Sequence, residues 1–275
     1  MLIKLLKLIL ILLFYQNSLY SKSKSLNNIN SNILSDYLSG IVAYENKDNF
    51  NALKFFRSSK ILIKNHDPYL SRYTNLLVLE GKVQEASNEI KQNINNNNTN
   101  FFEAYIILAL ENIKKKNFKK SKDYLKKSYQ FINNDKIALV IADSLKEYLF
   151  VFEQKKLPNT KKNFGNFSLI NRVFQKCYLE DKNTKNNFET IVNQNDGVDY
   201  SRYLFFYIHF LIENNNYEEA KKITDNLDYL DLPLLISQGK KWIEDQKLEE
   251  LKKVFSCKNS NDIVSEFFFL VANLY

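Results

Sequence analysis

"FFEAYIILALENIKKKNFKKSKDYLKKSYQF", residues 101–131, decides how this chain folds. From Phe101 to Lys115 apolar residues recur through Tyr105, Leu108 and Ala109, the period of a helix with one covered face. Lys116 and Asn117 make a short polar turn, and Phe118 opens a second helix whose inner face is Ser121, Leu125 and Ser128. Such a stretch predicts two antiparallel helices crossing closely, with small side chains where they meet. A bulky residue there would part the backbones, at about 1–3 kcal/mol.

The same ruler runs along the rest of the chain. Gly40, Thr74 and Ala109 recur at intervals of 34 and 35 residues, each followed 12 residues later by Ala52, Ala86 or Ser121 and 4 beyond that by Phe56, Ile90 or Leu125. Ile208, Ala220 and Thr224 fit it, as do Gly239, Leu251 and Phe255, and Ala272 is the next rung. A fixed period of this length marks stacked helical hairpins.

On these residues the chain resembles the tetratricopeptide repeat (TPR) family. The resemblance is carried by "YLSGIVAYENKDNFNALKFFRSSKILI" (37–63), "YLSRYTNLLVLEGKVQEASNEIKQNI" (69–94), residues 101–131 and "RYLFFYIHFLIENNNYEEAKKITDNL" (202–227), in which "NNNYEEA" matches the family's turn, aromatic and alanine. The family's unit-ending proline survives only near Pro68, and its early tryptophan is replaced by Leu70, Tyr105 and Leu204. The resemblance implies an all-α fold, an α-α superhelix of antiparallel helix pairs, and a non-catalytic scaffold that binds protein or peptide segments in a concave groove.

The ruler organises the chain into three repeats over 34–134, a degenerate helical region over 135–199 with a loop at 157–167 broken by Pro158 and Gly165, and further repeats over 200–275. In the degenerate region "DKIALVIADSLKEYLFVFEQKK" reads as one amphipathic helix and "LINRVFQKCYLEDKNTKNNFETIVNQ" as a worn helical pair. The loop is a candidate hinge or binding element, or an irregular insertion between repeats. The closing "DIVSEFFFLVANLY" reads as the first helix of a further unit, its apolar face lacking a partner, and this predicts a fragment of a longer protein,.

Before the repeats, Lys4 and Lys7 precede an apolar run from Leu8 to Tyr15, and small residues follow near Ser18 and Ser21. Residues 1–21 thus have the layout of a signal peptide, with a retained N-terminal membrane anchor as the alternative, and 22–33 form a polar linker. The apolar run is short of the roughly 20 residues a spanning helix needs. Either reading places the body outside the cytoplasm: exported, periplasmic or anchored facing the periplasm, as in the proteobacterial repeat proteins it resembles.

With 45% hydrophobic residues and a formal net charge of +8 the chain is a folded, basic protein. Nucleic-acid binding is not expected, because base and phosphate recognition favours the bidentate arginine fork and only Arg57, Arg72, Arg172 and Arg202 occur. Lys114, Lys115, Lys116, Lys119 and Lys120 flank the inter-helix turn, and Lys122, Lys126 and Lys127 face outward from its second helix, so they read as a solvated edge. Cys177 and Cys257 read as buried small hydrophobes, against a bonded pair or a metal site,.

Catalytic signatures are not found. The five glycines are isolated, Gly239-Lys240 lacks the earlier glycine of a phosphate loop (Leu234 stands there), His66 and His209 have no metal-ligand spacing, and no serine sits in a nucleophile elbow,. No enzyme, cofactor or metal is expected. The alternative is a substrate-recruiting region of a larger envelope peptidase or glycosyltransferase. Projected onto the first helices, the ruler predicts a peptide-binding groove of Tyr37, Ile41 and Tyr44, then Ser71, Asn75 and Val78, then Ile106, Leu110 and Ile113, and later Phe205, His209 and Ile212. Aromatic and aliphatic anchors would insert there while groups such as Asn75 bond a peptide backbone.

Overall fold

Five of the described α-helices start where a short polar side chain satisfies free amides of the first turn,. Asn30 accepts from Ile33 N at 2.9 Å, Asp48 from Asn51 N at 3.2 Å, Asn117 from Lys120 N at 3.2 Å, and Asp135 from Ile137 N at 2.8 Å. The computed structural model describes residues 30–95, 99–159, 162–194, 200–228 and 232–273. The leader at 1–21 and residues 22–29 of the linker lie outside them. Among the described residues all regular structure is helical, so the fold is all-α.

The residues divide into two compact units, the first ending at Asn65 and the second starting at His66. The first holds α1 (Ser31–Glu45), α2 (Asn49–Ser58) and a 3-10 turn, Lys60–Lys64. Helix α1 begins inside the stretch read as linker, because Asn30 caps it. The second unit holds α3 (Asp67–Leu79), α4 (Val83–Asn93), α5 (Phe102–Lys114), α6 (Phe118–Ser128), α7 (Lys136–Gln154), α8 (Asn166–Tyr178), α9 (Thr184–Val192), α10 (Ser201–Glu213), α11 (Tyr217–Asp225), α12 (Leu234–Glu244), α13 (Leu248–Val254) and α14 (Ser260–Ala272). The expected 34–134 block is therefore split after its first hairpin.

Every rung of the ruler up to Phe255 is buried, and Ala52, Ala86, Ala109, Ser121 and Ala220 are wholly so. The rungs touch: Ser121 Oγ donates to Ala109 O at 2.9 Å, and a Cβ on Gly40 would stand 2.8 Å from the Phe56 ring. The turns also repeat. Lys47, Gly81, Lys116, Asn215 and Gln246 all have positive φ, between 56° and 71°, and each stands seven residues after the first rung residue of its unit, Gly40, Thr74, Ala109, Ile208 or Gly239. The next amide then reaches back five residues, as from Asp48 to Ala43 O (2.9 Å), Lys82 to Leu77 O (2.7 Å), Asn117 to Asn112 O (2.8 Å), Asn216 to Leu211 O (2.8 Å) and Lys247 to Trp242 O (2.7 Å). This left-handed cap satisfies carbonyls that a helix end would leave bare. The worn pair α8/α9 keeps it, with Glu180 at φ 53° and Asp181 N donating to Lys176 O at 3.0 Å.

Two expectations fail in the second unit. Cys177 and Cys257, both 3% exposed, form a disulfide with Cα atoms 5.4 Å apart, joining the end of α8 to the segment between α13 and α14. The closing helix, moreover, does not stand as the next rung: Ala272 is exposed, and α14 lies along α5, α7 and α8, burying Ile263, Val264, Phe267 and Val271. Its apolar face has a partner in this chain. Among the described residues no helix is long and apolar enough to cross a membrane.

Candidate functional site

A cleft of about 450 Å³ opens in the second unit where α3, α5 and α7 lie side by side. Its walls include Ser71, Asn75 and Val78 from α3, Ile106 and Leu110 from α5, Ile141 from α7 and Phe268 from α14. Five of the predicted groove residues (Ser71, Asn75, Val78, Ile106, Leu110) are thus brought to one place. The reason is helix geometry: Ser71, Asn75 and Val78 stand at i−3, i+1 and i+4 from Thr74, which also lines the cleft, and Ile106 and Leu110 at i−3 and i+1 from Ala109, so they share the flank of each helix beside its rung residue,. Glu103 and Asp135 stand at the rim; each lies at a helix start, where a carboxylate complements the amide dipoles. Among the described residues no lysine or arginine lines the cleft.

The other predicted groove residues are elsewhere. Ile113 is 1% exposed and belongs to the core. Tyr37 is buried in the first unit with its ring edge-on to Phe56, centroids 5.6 Å apart, while Ile41 and Tyr44 are half-buried on the same helix. Phe205, His209 and Ile212 are buried because the hairpin α12/α13 and Phe255 cover them; the Phe205 ring lies against Gly239, and His209 faces Phe255 edge-on at 5.8 Å. Projection of the ruler found the first-helix face but could not see the later elements folding over it.

His209 carries a consequence for stability. Burial pushes its imidazole down to about 4, outweighing the Lys252 backbone, which raises it, while the Lys252 charge lowers it a little further; Glu213, 3.8 Å from Nδ1, is beyond hydrogen-bond reach. Because the folded value lies below the unfolded 6.5, His209 leaves the fold at full stability above pH 6.5 and subtracts as pH falls toward 4, where the unfolded chain alone binds the proton. Unfolding free energy should drop by about 3 kcal/mol from this group between pH 7 and pH 4. Denaturant titrations at both pH values should show a His209→Leu variant losing clearly less than the wild type; parallel losses would refute this role.

Polar groups that the sequence did not reveal tie the helices together. Glu111 on α5 takes Lys115 Nζ at 2.5 Å and Lys91 Nζ at 2.5 Å, and the Ser87 hydroxyl donates to it. Burial would raise this carboxyl, but Lys115, Lys91 and Ser87 outweigh it and hold it at about 2. Asp143, 5% exposed, accepts from Tyr129 Oη at 2.8 Å and pairs with Lys162 at 2.5 Å. Lys162 and the bond from Arg172 to Pro158 O (3.2 Å) fasten the loop read as a candidate hinge. Arg202 at the start of α10 binds Glu266 of α14 through two bonds of 2.7 and 2.6 Å and lies 3.6 Å over the Phe269 ring. Burial pushes Glu266 up while Arg202 pulls it down, and burial wins.

The lysine-rich edge is arranged as a solvated surface: Lys114, Lys116, Lys119, Lys120, Lys126 and Lys127 are exposed. Lys122 differs, half-buried and paired with Glu153 of α7. Among the described residues no cluster of three His, Cys, Asp or Glu could hold a metal. No known protein family, curated protein or solved structure matches the chain.

Proposed function

We propose that this protein is a helical-repeat scaffold of the tetratricopeptide type, which captures an apolar anchor of a partner protein or peptide in the cleft between α3, α5 and α7. The observation that carries the reading is the convergence of Val78, Ile106 and Leu110 on one open, mostly apolar cleft bordered by Ser71 and Asn75. Apolar pockets with a few polar groups are where binding energy concentrates. The repeated spacing and the six hairpin turns closed by the same left-handed cap support the repeat reading. The disulfide supports export, since such bonds persist in oxidising compartments,, and the leader-like sequence at 1–21 points the same way.

The test is capture from envelope extract. Leu110→Glu puts a charge into the cleft, and Lys119→Glu places one on the solvated edge. Under this reading the first variant loses at least ~10-fold of the captured partner while the second retains it, since a desolvated charge in an apolar contact is costly. Equal capture by both would sink the cleft.

A further inference from the structure

Helix α14 behaves differently from the other α-helices among the described residues. It leaves the ladder, with Ala272 exposed where the ruler would place a crossing, and returns to the first helix of an earlier hairpin. Its contact has the pattern of a helix laid in a groove: Ile263, Phe267 and Val271 stand at i, i+4 and i+8 and are buried, the spacing by which one helix face meets a surface. Phe267 packs edge-on against Tyr148 of α7 at 5.7 Å and Phe167 of α8 at 5.5 Å. At i+3, Glu266 is gripped by the Arg202 fork. The neighbouring Phe268 forms one wall of the open cleft, so the surface α14 occupies is continuous with the cleft beside it.

We propose that α14 is a built-in ligand, holding in cis the place along α5, α7 and α8 that a partner helix takes in trans, and that this partner carries apolar residues at i, i+4 and i+8 with a carboxylate at i+3. This rests on the reading of the cleft as a partner-binding surface and names the partner's chemistry. Continuity argues for the occupant: a helix displacing α14 gains the contacts of Phe267 and the Arg202 fork and extends into the apolar cleft that Phe268 now borders. The arginine fork selects a carboxylate, because a guanidinium binds one through two parallel bonds that no neutral side chain matches. The tether sets the threshold. A segment linked by a few residues competes at about millimolar effective concentration, so only a partner richer in contacts than α14 displaces it.

The experiment uses the full chain and a fluorescein-labelled peptide of residues 258–273, read by fluorescence anisotropy. With α14 weakened in cis by Phe267→Ala, the peptide should bind at least 10-fold more tightly than it binds the wild type. A Glu266→Lys peptide should fail on that variant and recover on the variant that also carries Arg202→Glu. Val271→Ser, a milder weakening at the helix end, serves as the second variant, and circular dichroism checks both. Folded variants that do not bind the peptide, or bind it no better than the wild type does, overturn the proposal, as does unfolding of both variants, which would make α14 an ordinary core helix. These outcomes are independent of the Leu110→Glu capture result, so the cleft reading and the α14 proposal can fail separately.

Discussion

Reduction of the Cys177–Cys257 bond should lower the thermal midpoint of the second unit by roughly 10 °C. The bond closes a loop of 80 residues, and confining a loop of that size in the unfolded chain is worth about 4 kcal/mol in the chain-entropy description. For a unit of this size each kcal/mol moves the midpoint by about 2–4 °C. Both cysteines are buried, and Phe174 of α8 and Phe255, each within three residues of one of them, pack edge-on with rings 5.7 Å apart, so the bond joins the same two segments that this aromatic contact joins. Calorimetry with and without reductant measures the effect, and a Cys177→Ser, Cys257→Ser double variant should match the reduced protein. A shift under about 3 °C would mean that the native fold does not rely on this cross-link.

Ala86→Phe should cost about 3 kcal/mol, the top of the range for an overpacked crossing, against under about 0.5 kcal/mol for Lys119→Phe. Ala86 on α4 has no exposed surface, and Thr74, the rung residue of α3 twelve positions earlier, is 1% exposed with its Oγ1 already committed to Leu70 O at 2.8 Å. A phenyl ring has no room there unless the two helices part, and parting them also strips Ile90 and Leu77 from the core. Lys119 is exposed, and a ring there stays in water. Chemical denaturation of the two variants separates the cases; similar losses would show that the rungs are not crossings.

The helix pairs were readable because their determinants are local. Small residues twelve apart, a polar break between them and an apolar residue four further on specify a hairpin whatever surrounds it, and the boundaries around Lys116, Asn117 and Phe118 emerge as read. The left-handed turn residue was hidden by its chemistry: Lys47, Lys116, Glu180, Asn215 and Gln246 adopt the conformation without glycine, and only Gly81 advertises it. Five of the twelve candidate groove residues come together in the cleft for the same local reason. The rest depended on chain segments far away in sequence. Phe205 and His209 read as an open face because nothing near them in sequence announces that α12 and α13 close over it. Cys177 and Cys257 lie too far apart for spacing to pair them, and the ruler that located Ala272 could not say that its helix turns back.

That return alters how the molecule comes apart. A stack whose members touch only their neighbours frays from its ends, one unit at a time, because each step exposes a single interface. Here α14 lies along α5, α7 and α8 while the cross-link clamps α8 to the segment just before α14, so the α10–α13 hairpins sit inside a closed ring rather than at a loose terminus. Opening any of them strains the contacts of both closures at once, so while α14 is seated the helices from α5 to α14 should melt together instead of unzipping.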